Sequence, residues 1–411
     1  MTDGATTERL WDPTDPAFRA DPYPFYDRLR VEAPAYRAPG GPLVVTRYTD
    51  VGATLRSNAV SRDVEANARF DPDDPVVARR RERRRGGAKT ILNLDPPDHT
   101  RLRRLVSKAF TPTAIERLRP RIVAMVDEVL DRAAERGSIE LIDELAFPVP
   151  FRVISELLDM PTERGDELRD WSQALTAALE ASATIADLDA ADAAIDQLIP
   201  YLVDIIEARR ASPGDDLLSG LLAVEDGGDT LSPAELISFV VLLYVAGHET
   251  TVNLIGNGTL ALLRHPDQLA RWRHDPGLDA VAVDELLRYD GPVQHTVRVA
   301  MEPITFAGVD GDAVVAEPGE RILTVLGAAN HDPAVFDDPR RLWLDRPNAA
   351  KHLAFSAGIH YCLGASLAKL EAAVTIGRLI RRFDSIELAG DPRWRDRLTI
   401  RGVDRLPLIV R

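Results

Sequence analysis

The sequence predicts a mainly α-helical protein with a minor antiparallel β part. Apolar side chains recur with helical spacing through most of residues 97–290. Short β-type segments bounded by Gly, Pro or Asp flank this helical block. No regular alternation of strands and helices appears, which argues against a doubly wound fold. A chain of 411 residues also buries roughly three quarters of its unfolded surface, enough for a core around an internal ligand.

The helices are predicted from apolar periodicity and capping signals. Residues 115–134 and 198–208 each place apolar side chains on one helix face. The longest helix is expected to start at Ser232-Pro-Ala-Glu, which combines a capping box with proline at the first helical position, and to run to Arg264. It would span about 50 Å, and its first half is apolar almost all round. We therefore expect it to be buried.

The β part is predicted in five short segments, residues 43–46, 304–306, 314–315, 322–325 and 406–410. No Gly/Ser linker, repeat or low-complexity tract divides the chain, so one domain over residues 1–411 is expected, with residues 1–12 as a flexible N-terminus. Residues 70–89 are expected to form a long polar loop that contains the arginine-rich run 79–85.

Charge and cysteine content exclude several classes of protein. The 50 Lys and Arg residues against 65 Asp and Glu give a net charge of −15, which disfavours general nucleic-acid binding. One cysteine cannot form an intramolecular disulfide or a multi-cysteine metal site, and this fits a reducing cytoplasm. The first residues lack a signal-peptide pattern, and the apolar stretch 236–247 is too short to cross a bilayer. We expect a cytoplasmic protein without a membrane or nucleic-acid partner.

The single cysteine lies in Phe355-Ser-Ala-Gly358-Ile-His360-Tyr-Cys362-Leu-Gly364, directly before a stretch with helical spacing. Free N–H groups at a helix start favour a thiolate, and the glycines permit a tight turn around it. Such a thiolate suits haem iron as an axial ligand. Taken alone, Cys362 fits an inert buried cysteine better. A nucleophile–base pair with His360 is disfavoured, because residues two apart do not readily face each other.

This ten-residue pattern resembles the haem-binding loop of the cytochrome P450 family, Phe-Gly/Ser-x-Gly-x-His-x-Cys-x-Gly, at every fixed position. The resemblance extends over about residues 10–411 and is to the soluble bacterial type. It implies the cytochrome P450 fold, with a long central helix over a buried haem b whose iron Cys362 binds. Phe355, His360 and Gly364 would contact the haem. The implied activity is that of a monooxygenase, which hydroxylates or epoxidises a small organic substrate with dioxygen and two electrons.

A second resemblance lies in the long helix. Ala246-Gly-His-Glu-Thr-Thr is similar to the Ala/Gly-Gly-x-Asp/Glu-Thr signature of the family. It implies that Ala246 and Gly247 lie beside the haem, where glycine leaves room for the cofactor. It also implies that Glu249 and Thr250 supply protons during oxygen activation. Taken alone, Thr250 fits a hydroxyl that bonds back to its own helix.

Basic residues that resemble the propionate ligands of the family occur in three places. His99 and Arg103 are one helical turn apart, so both would reach one anionic edge. Arg298 lies in a segment similar to the strand that supplies a further propionate arginine, and His360 completes the set.

A structural ion-pair cluster under the haem is also implied. Glu285 and Arg288 resemble the Glu-x-x-Arg motif of the family, and the resemblance adds Arg341 as the third member. Taken alone, Glu285 and Arg288 fit an ordinary surface ion pair.

Substrate and partners are expected mainly from the resemblance. The substrate pocket is mostly apolar and would be lined by Leu92, Leu243, Ala246, Val293, Gln294 and Ile400. The substrate is expected to be a secondary-metabolite intermediate. No flavin or nicotinamide site is evident, so NAD(P)H would act through a ferredoxin reductase and a ferredoxin. A basic docking patch is expected at Arg101, Arg104, Lys108, Arg117, Arg119 and Arg121.

Three alternatives stay open. The run 79–85 is interpreted as a solvated mobile loop, although it would also attract an anionic substrate or an acidic carrier protein. A haem-thiolate enzyme can instead couple or desaturate substrates without oxygen insertion. A non-catalytic haem binder or sensor is disfavoured by Glu249 and Thr250, because a sensor needs no proton relay. A monomer is expected.

Overall fold

The computed structural model describes residues 10–411 except 40, 71–73, 85–88, 109, 181 and 227. The α-helices are α1 Pro16–Ala20, α2 Tyr23–Glu32, α3 Tyr48–Arg56, α4 Val64–Asn67, α5 Pro75–Arg84, α6 Asp98–Ser107, α7 Pro112–Glu116, α8 Arg119–Arg136, α9 Pro148–Leu157, α10 Gly165–Ala177, α11 Ile185–Ala211, α12 Leu217–Ala223, α13 Pro233–Arg264, α14 Pro266–His274, α15 Ala282–Asp290, α16 Leu326–Ala329 and α17 Ala365–Arg382. The mainly helical prediction is confirmed.

The strands are short and belong to small sheets. They are β1 Ala35–Arg37, β2 Leu43–Val45, β3 Val60–Ser61, β4 Ser138–Glu140, β5 Glu225–Asp226, β6 Asp229–Thr230, β7 His295–Ala300, β8 Ile304–Ala307, β9 Ala313–Ala316, β10 Arg321–Val325, β11 Ile386–Leu388, β12 Arg393–Trp394, β13 Val403–Arg405 and β14 Pro407–Val410. The largest sheet has the order β1-β2-β10-β7-β3. All five predicted β segments are confirmed, but β2 and β10 pair in parallel, so the β part is not entirely antiparallel.

The central helix, α13, begins as its capping signals predict. The Ser232 hydroxyl accepts from the Glu235 N–H, the Glu235 carboxylate accepts from the Ser232 N–H, and Pro233 is the first helical residue. The helix has 32 residues and packs against α9, α11, α15 and α17. It is the one helix among the described residues that is long and apolar enough to cross a membrane, and 61% of its apolar window is buried in the protein. That burial is typical of a core helix.

Two segments differ from the sequence prediction. The helix predicted over residues 115–134 is divided into α7 and α8, because Pro120 has no N–H to donate and stands at a helix start. The predicted polar loop contains α5, in which Arg79 donates to Asp189 at 2.9 Å and also bonds Asp192 on α11. The loop expected over residues 70–89 is therefore a helix at residues 75–84, and the arginine-rich run 79–85 begins inside it. Residues 85–88 of that call lie outside the described residues.

The segment predicted as a flexible N-terminus, residues 1–12, includes one buried side chain. Residues 1–9 of that segment lie outside the described residues. Trp11 is buried, with its ring centroid 5.2 Å from that of Phe18 and 6.2 Å from that of Tyr26. Aromatic pairs at these separations attract each other, so the chain is anchored in the core from Trp11 onward.

Candidate functional site

The cysteine loop, residues 355–364, depends on one glycine for its shape. Gly358 has φ +71°, and a Cβ there would lie 2.6 Å from the Leu55 carbonyl oxygen, so only glycine fits. The Cys362 N–H donates to the Phe355 carbonyl at 3.0 Å and closes the loop. Gly364, directly before α17, has φ −85° and would place a Cβ in open space. The backbone conformation at Gly364 is therefore open to other residues as well, and the turn does not require glycine at this position.

Cys362 is an exposed residue. Protein atoms surround it closely enough that desolvation raises the pKa of the thiol, although the Gly364 N–H and the Arg103 charge oppose this shift. The prediction that the loop by itself favours a thiolate is wrong, because desolvation outweighs the helix start. A coordinated metal ion reverses this balance, since a ligating thiol loses its proton.

A cluster of basic side chains lies beside the cysteine loop. The rings of His99 on α6 and His360 in the loop have centroids 4.3 Å apart. The Arg103 guanidinium donates to the Tyr361 carbonyl at 2.7 Å. Arg298 on β7 is 2% exposed. The structure therefore brings the four predicted propionate residues together around the loop.

The electrostatics of this cluster are unfavourable within the chain. Burial lowers the pKa of Arg298 to about 9, with a contribution from the Arg62 charge that Asp95 partly opposes. Burial lowers the pKa of His360 to about 3, and the charges of His99 and Arg298 add to the shift. Burial, and then the Arg103 charge, also lower the pKa of His99, whose buried Nδ1 has no hydrogen-bond partner among the described residues.

Arg62 is a member of this cluster that sequence reasoning missed. It follows β3, which pairs with β7, and its guanidinium donates to the Val297 carbonyl at 3.0 Å. No motif marks Arg62, because only the pairing of β3 with β7 brings it near Arg298.

These donors fit a haem group. A thiol supplies an axial ligand for iron, and a buried cluster of arginine and histidine side chains suits the two propionates of the macrocycle. The unpartnered Nδ1 of His99 is a donor or acceptor for which the described chain supplies no partner. The residues that would hold the haem are Cys362, His99, Arg103, Arg298, His360 and Arg62.

Glu249 and Thr250, the predicted proton-transfer pair on the central helix, contact different groups. Glu249 is 1% exposed and forms a buried ion pair with Arg395, and its Oε2 has no hydrogen-bond partner among the described residues. The Thr250 hydroxyl donates to the Ala246 carbonyl at 2.9 Å, which is the back-bonding that its helix position also predicted. Sequence reasoning missed Arg395, because nothing in the local pattern connects it to the helix.

Ala246 and Gly247 lie one after the other on the central helix but have different surroundings. Ala246 is exposed although the central helix is mostly buried, so its methyl group faces open space. A Cβ at Gly247 would lie 3.3 Å from the Ile154 Cδ1 on α9. The missing side chain of Gly247 therefore leaves room for α9. The expectation that it leaves room for a cofactor is wrong in this direction, because a Cβ at this position would point towards Ile154.

The ion-pair cluster under the cysteine loop has a different third arginine. Arg288 donates to Glu285 from Nε at 2.7 Å and from NH2 at 2.8 Å. Arg346 Nε lies 3.1 Å from both oxygens of the same carboxylate. Arg341 is exposed and contributes only its backbone carbonyl, which accepts from Arg288 and Arg346. The predicted role of Arg341 is therefore wrong, and the alternative of a surface ion pair is wrong as well.

The predicted pocket residues do not all face a common space. Val293 and Ile400 form an antiparallel bridge, so two of them are neighbours. Gln294 is fully buried, and its amide donates to the Gly291 carbonyl at 2.7 Å and to the Tyr23 hydroxyl at 3.3 Å. Its assignment to the pocket is wrong, because its polar group is used inside the core. Leu92 is exposed and Leu243 is half-buried against the core.

The predicted basic docking patch is partly neutralised. Arg101 pairs with Asp229 and Glu235, Arg119 pairs with Glu116, and Arg121 pairs with Glu156. Arg104, Lys108 and Arg117 are exposed. Three of the six predicted cations therefore have carboxylate partners, which reduces the positive charge of the predicted patch.

Comparisons with known proteins identify the family. A family model described as Cytochrome P450 matches residues 56–275 and 276–398. Cytochrome P450 107B1 of Saccharopolyspora erythraea is 43% identical over 422 residues, which cover 99% of each chain. The 6-deoxyerythronolide B hydroxylase of the same organism is 37% identical over 404 residues, which cover 95% of this chain and 96% of the relative.

A solved structure gives the same result for the fold. The structure of P450BioI in complex with hexadec-9Z-enoic acid ligated acyl carrier protein has a TM-score of 0.86 and 34% sequence identity, and the match covers 96% of this chain and 99% of that chain. The predicted fold is confirmed. Sequence motifs, the site and the relatives agree, and the chain belongs to the cytochrome P450 family, whose members are haem-thiolate monooxygenases that draw electrons from redox partners.

Proposed function

We propose that this protein hydroxylates a small polyketide-type intermediate of secondary metabolism at a haem that Cys362 binds. The observation that carries the proposal is the exposed Cys362 beside a partly buried cluster of arginine and histidine side chains. A thiol donor next to cations matches a group that has both a metal ion and carboxylates. When bound, haem supplies activation of dioxygen and transfer of one oxygen atom to the substrate.

The chain itself binds and orients the cofactor. Cys362 Sγ would bind the haem iron, and the Gly364 N–H beside it would stabilise negative charge on sulfur. His99, Arg103 and Arg298 hold the propionates, and the positive charge of the cluster is neutralised in return.

Glu249 and Thr250 move protons in this proposal. The Glu249 Oε2 has no partner among the described residues and is the atom that accepts a proton, whereas Oε1 is engaged by Arg395. The Thr250 hydroxyl already donates to Ala246, so its oxygen accepts from a water or substrate hydroxyl on the open side of the helix. Relay through paired groups of this kind is general acid catalysis.

The substrate class rests on the remaining pocket residues and on the relatives. Leu92, Leu243, Val293 and Ile400 are all apolar, and they suit a substrate with a hydrocarbon framework. One relative is named 6-deoxyerythronolide B hydroxylase, and another is named polyketide biosynthesis cytochrome P450 PksS. A free small molecule is the simplest substrate that this wall recognises.

The decisive experiment uses the haem-loaded protein, a ferredoxin with its reductase and NAD(P)H as the electron source, 6-deoxyerythronolide B and isotopically labelled dioxygen. We expect a substrate-induced shift of the Soret band and one labelled oxygen atom in the product. A product without label would indicate coupling or desaturation, and no conversion would exclude this substrate. A reduced carbon-monoxide complex that absorbs like a histidine-ligated globin would contradict Cys362 as the ligand, whatever the substrate.

In this proposal the electrons come from a ferredoxin, which an NAD(P)H-dependent reductase reduces. The reaction takes place in the cytoplasm. The protein acts as a monomer, and its single domain is sufficient to bind the ferredoxin. The exposed cations Arg104 and Lys108 are the docking site in this proposal. Reversal of both to glutamate is expected to slow ferredoxin-supported turnover about tenfold and to spare peroxide-supported turnover. The matched control reverses Arg210 and Arg393, both exposed, with the same change of net charge. Equal losses with both electron sources would contradict docking at this site.

A further inference from the structure

The carboxylate of Glu180 lies just beyond the C-terminal end of α10 and holds a distant segment of chain. Glu180 is 7% exposed. It accepts from the backbone N–H groups of Leu398 at 3.2 Å, Thr399 at 3.0 Å and Ile400 at 3.3 Å. It also accepts from the Thr399 hydroxyl at 2.9 Å. Three successive N–H groups and a hydroxyl therefore converge on one buried carboxylate, which is a strong anion-binding arrangement.

The opposite edge of this segment carries a wall of the proposed pocket. The Gln294 N–H donates to the Thr399 carbonyl at 3.1 Å, and the Arg401 N–H donates to the Pro292 carbonyl at 2.8 Å. Val293 and Ile400 form the bridge between these two hydrogen bonds. One edge of segment 398–401 is thus held by backbone hydrogen bonds to residues 292–294, and the other edge is held by the Glu180 carboxylate. Ile400 takes part in the contacts of both edges.

A second contact connects the same two parts of the chain. The Arg397 guanidinium donates to the Thr176 hydroxyl at 2.8 Å and to the Gln173 carbonyl at 3.1 Å, and both acceptors lie on α10. Segment 397–400 is therefore attached to α10 at its last turn by Arg397 and beyond that turn by Glu180. A change in the position of α10 is transmitted to Ile400 through these bonds.

We propose that Glu180 is a positioning residue for substrate specificity, whose carboxylate fixes the place of Ile400 in the pocket wall. This inference rests on the proposed function, because Ile400 is a pocket residue only there. Loss of the carboxylate frees three backbone N–H groups and lets the wall recede. Ligands long enough to touch the wall then lose contact, whereas ligands too short to reach it are unaffected.

The test compares Glu180→Ala and Glu180→Gln with the control Glu167→Gln in the haem-loaded protein. Glu167 is an exposed carboxylate on α10 that pairs with Arg164 at 2.6 Å. Amide hydrogen exchange is measured at residues 398–400, and affinities for imidazole and for the longer 4-phenylimidazole are measured by absorption titration. Neither readout depends on turnover or on the natural substrate.

We expect Glu180→Ala to speed exchange at residues 398–400 by about tenfold or more, because these amides lose their acceptor. Binding of 4-phenylimidazole should weaken about fivefold, and imidazole binding should change less than about twofold. Glu180→Gln, which keeps one carbonyl acceptor, should lie between, and Glu167→Gln should match the parent protein.

Unchanged exchange at residues 398–400, or equal weakening of both imidazoles, would overturn the proposal. If Glu180→Ala does not retain haem, Glu180→Gln provides the same comparison, and loss of haem in both variants would show a purely structural role. Failure of the proposed function is distinguishable, because a parent protein without the thiolate-type carbon-monoxide spectrum can still be tested for exchange at these amides.

Discussion

Replacement of Arg346 by alanine tests the assignment of the ion-pair cluster most directly. Arg346 is 1% exposed and Glu285 is fully buried. Arg346 also donates from NH2 to the carbonyls of Arg341 at 2.9 Å and Asp338 at 3.3 Å. The alanine variant would therefore remove the Arg346 bonds to Glu285 and to these two carbonyls, while Arg288 still donates to the Arg341 carbonyl and the Arg341 N–H still donates to the Asp338 carbonyl. Arg341→Ala is the matched control, because this exposed arginine is the one that the family pattern indicated.

The size of the effect follows from the number of charged hydrogen bonds that are lost. Removal of one partner from a buried ion pair costs about 3–5 kcal/mol. Glu285 keeps both bonds from Arg288, at 2.7 and 2.8 Å, so its charge is not left bare. We therefore expect the lower end of the range, about 3 kcal/mol, for Arg346→Ala. The control should cost about 0.5 kcal/mol or less, as is usual for surface substitutions.

Urea-induced unfolding, followed by far-ultraviolet circular dichroism, measures both variants against the parent protein. Two-state analysis of the transition midpoint and slope gives the change in the free energy of unfolding. Equal losses for Arg346→Ala and Arg341→Ala, or a larger loss for Arg341→Ala, would refute the geometry of the cluster. Retention of haem in Arg341→Ala provides a second check on the control.

Three further substitutions test other parts of the structure by urea unfolding. Gly358→Ala should lower the free energy of unfolding by about 1–3 kcal/mol, because residue 358 has φ +71°. The control Gly364→Ala should lower it by less than about 1 kcal/mol in the haem-free protein. Similar losses of stability in the two variants would contradict the turn geometry. Arg395→Met should cost about 3–5 kcal/mol, because it leaves a buried carboxylate on the central helix unpaired, and unchanged stability would contradict that ion pair. Burial lowers the pKa of His295 to about 4 from its ordinary 6.5, so the unfolded chain binds more protons between these values and stability falls as pH falls through this window. His295→Gln should remove about 1.4 kcal/mol per pH unit of this dependence, and the exposed control His274→Gln should leave it in place.

Local signals predicted much of the fold. The start of the central helix follows from Ser232, Pro233 and Glu235, which act on backbone groups within one turn. The five predicted β segments are bounded by turn residues, and each becomes a strand. The cysteine loop was predicted from its own ten residues. These features are determined by neighbours in the sequence, so the sequence reveals them.

The errors concern contacts between distant parts of the chain. Arg341 and Arg346 are five residues apart and chemically identical, and only the path of the chain decides which one reaches Glu285. Helix α5 was interpreted as a loop because its arginines look solvated, whereas Arg79 is fixed by carboxylates on α11. No rule about residue type or spacing contains this information.

Arg298 explains why the site depends on a group from outside the chain. A buried carboxylate can lose its charge, and burial raises the pKa of Glu371 well above its ordinary value. Arg298 does not lose its charge on burial, because its pKa is lowered only to about 9 and its guanidinium therefore remains charged near pH 7. The charge is therefore retained, which destabilises the haem-free fold, and propionates bound at Arg298 would offset this destabilisation.

Arg298→Gln should consequently have opposite effects on the two forms of the protein. The haem-free variant should be as stable as the parent or more stable in urea, because a buried charge is removed. The haem-loaded variant should release haem faster, by about tenfold or more, because one propionate loses a charged partner. Transfer of haem to an acceptor apoprotein measures this rate, with Arg321→Gln on the neighbouring strand β10 as the control. A haem-free variant that is strongly destabilised would mean that Arg298 serves the fold rather than the cofactor.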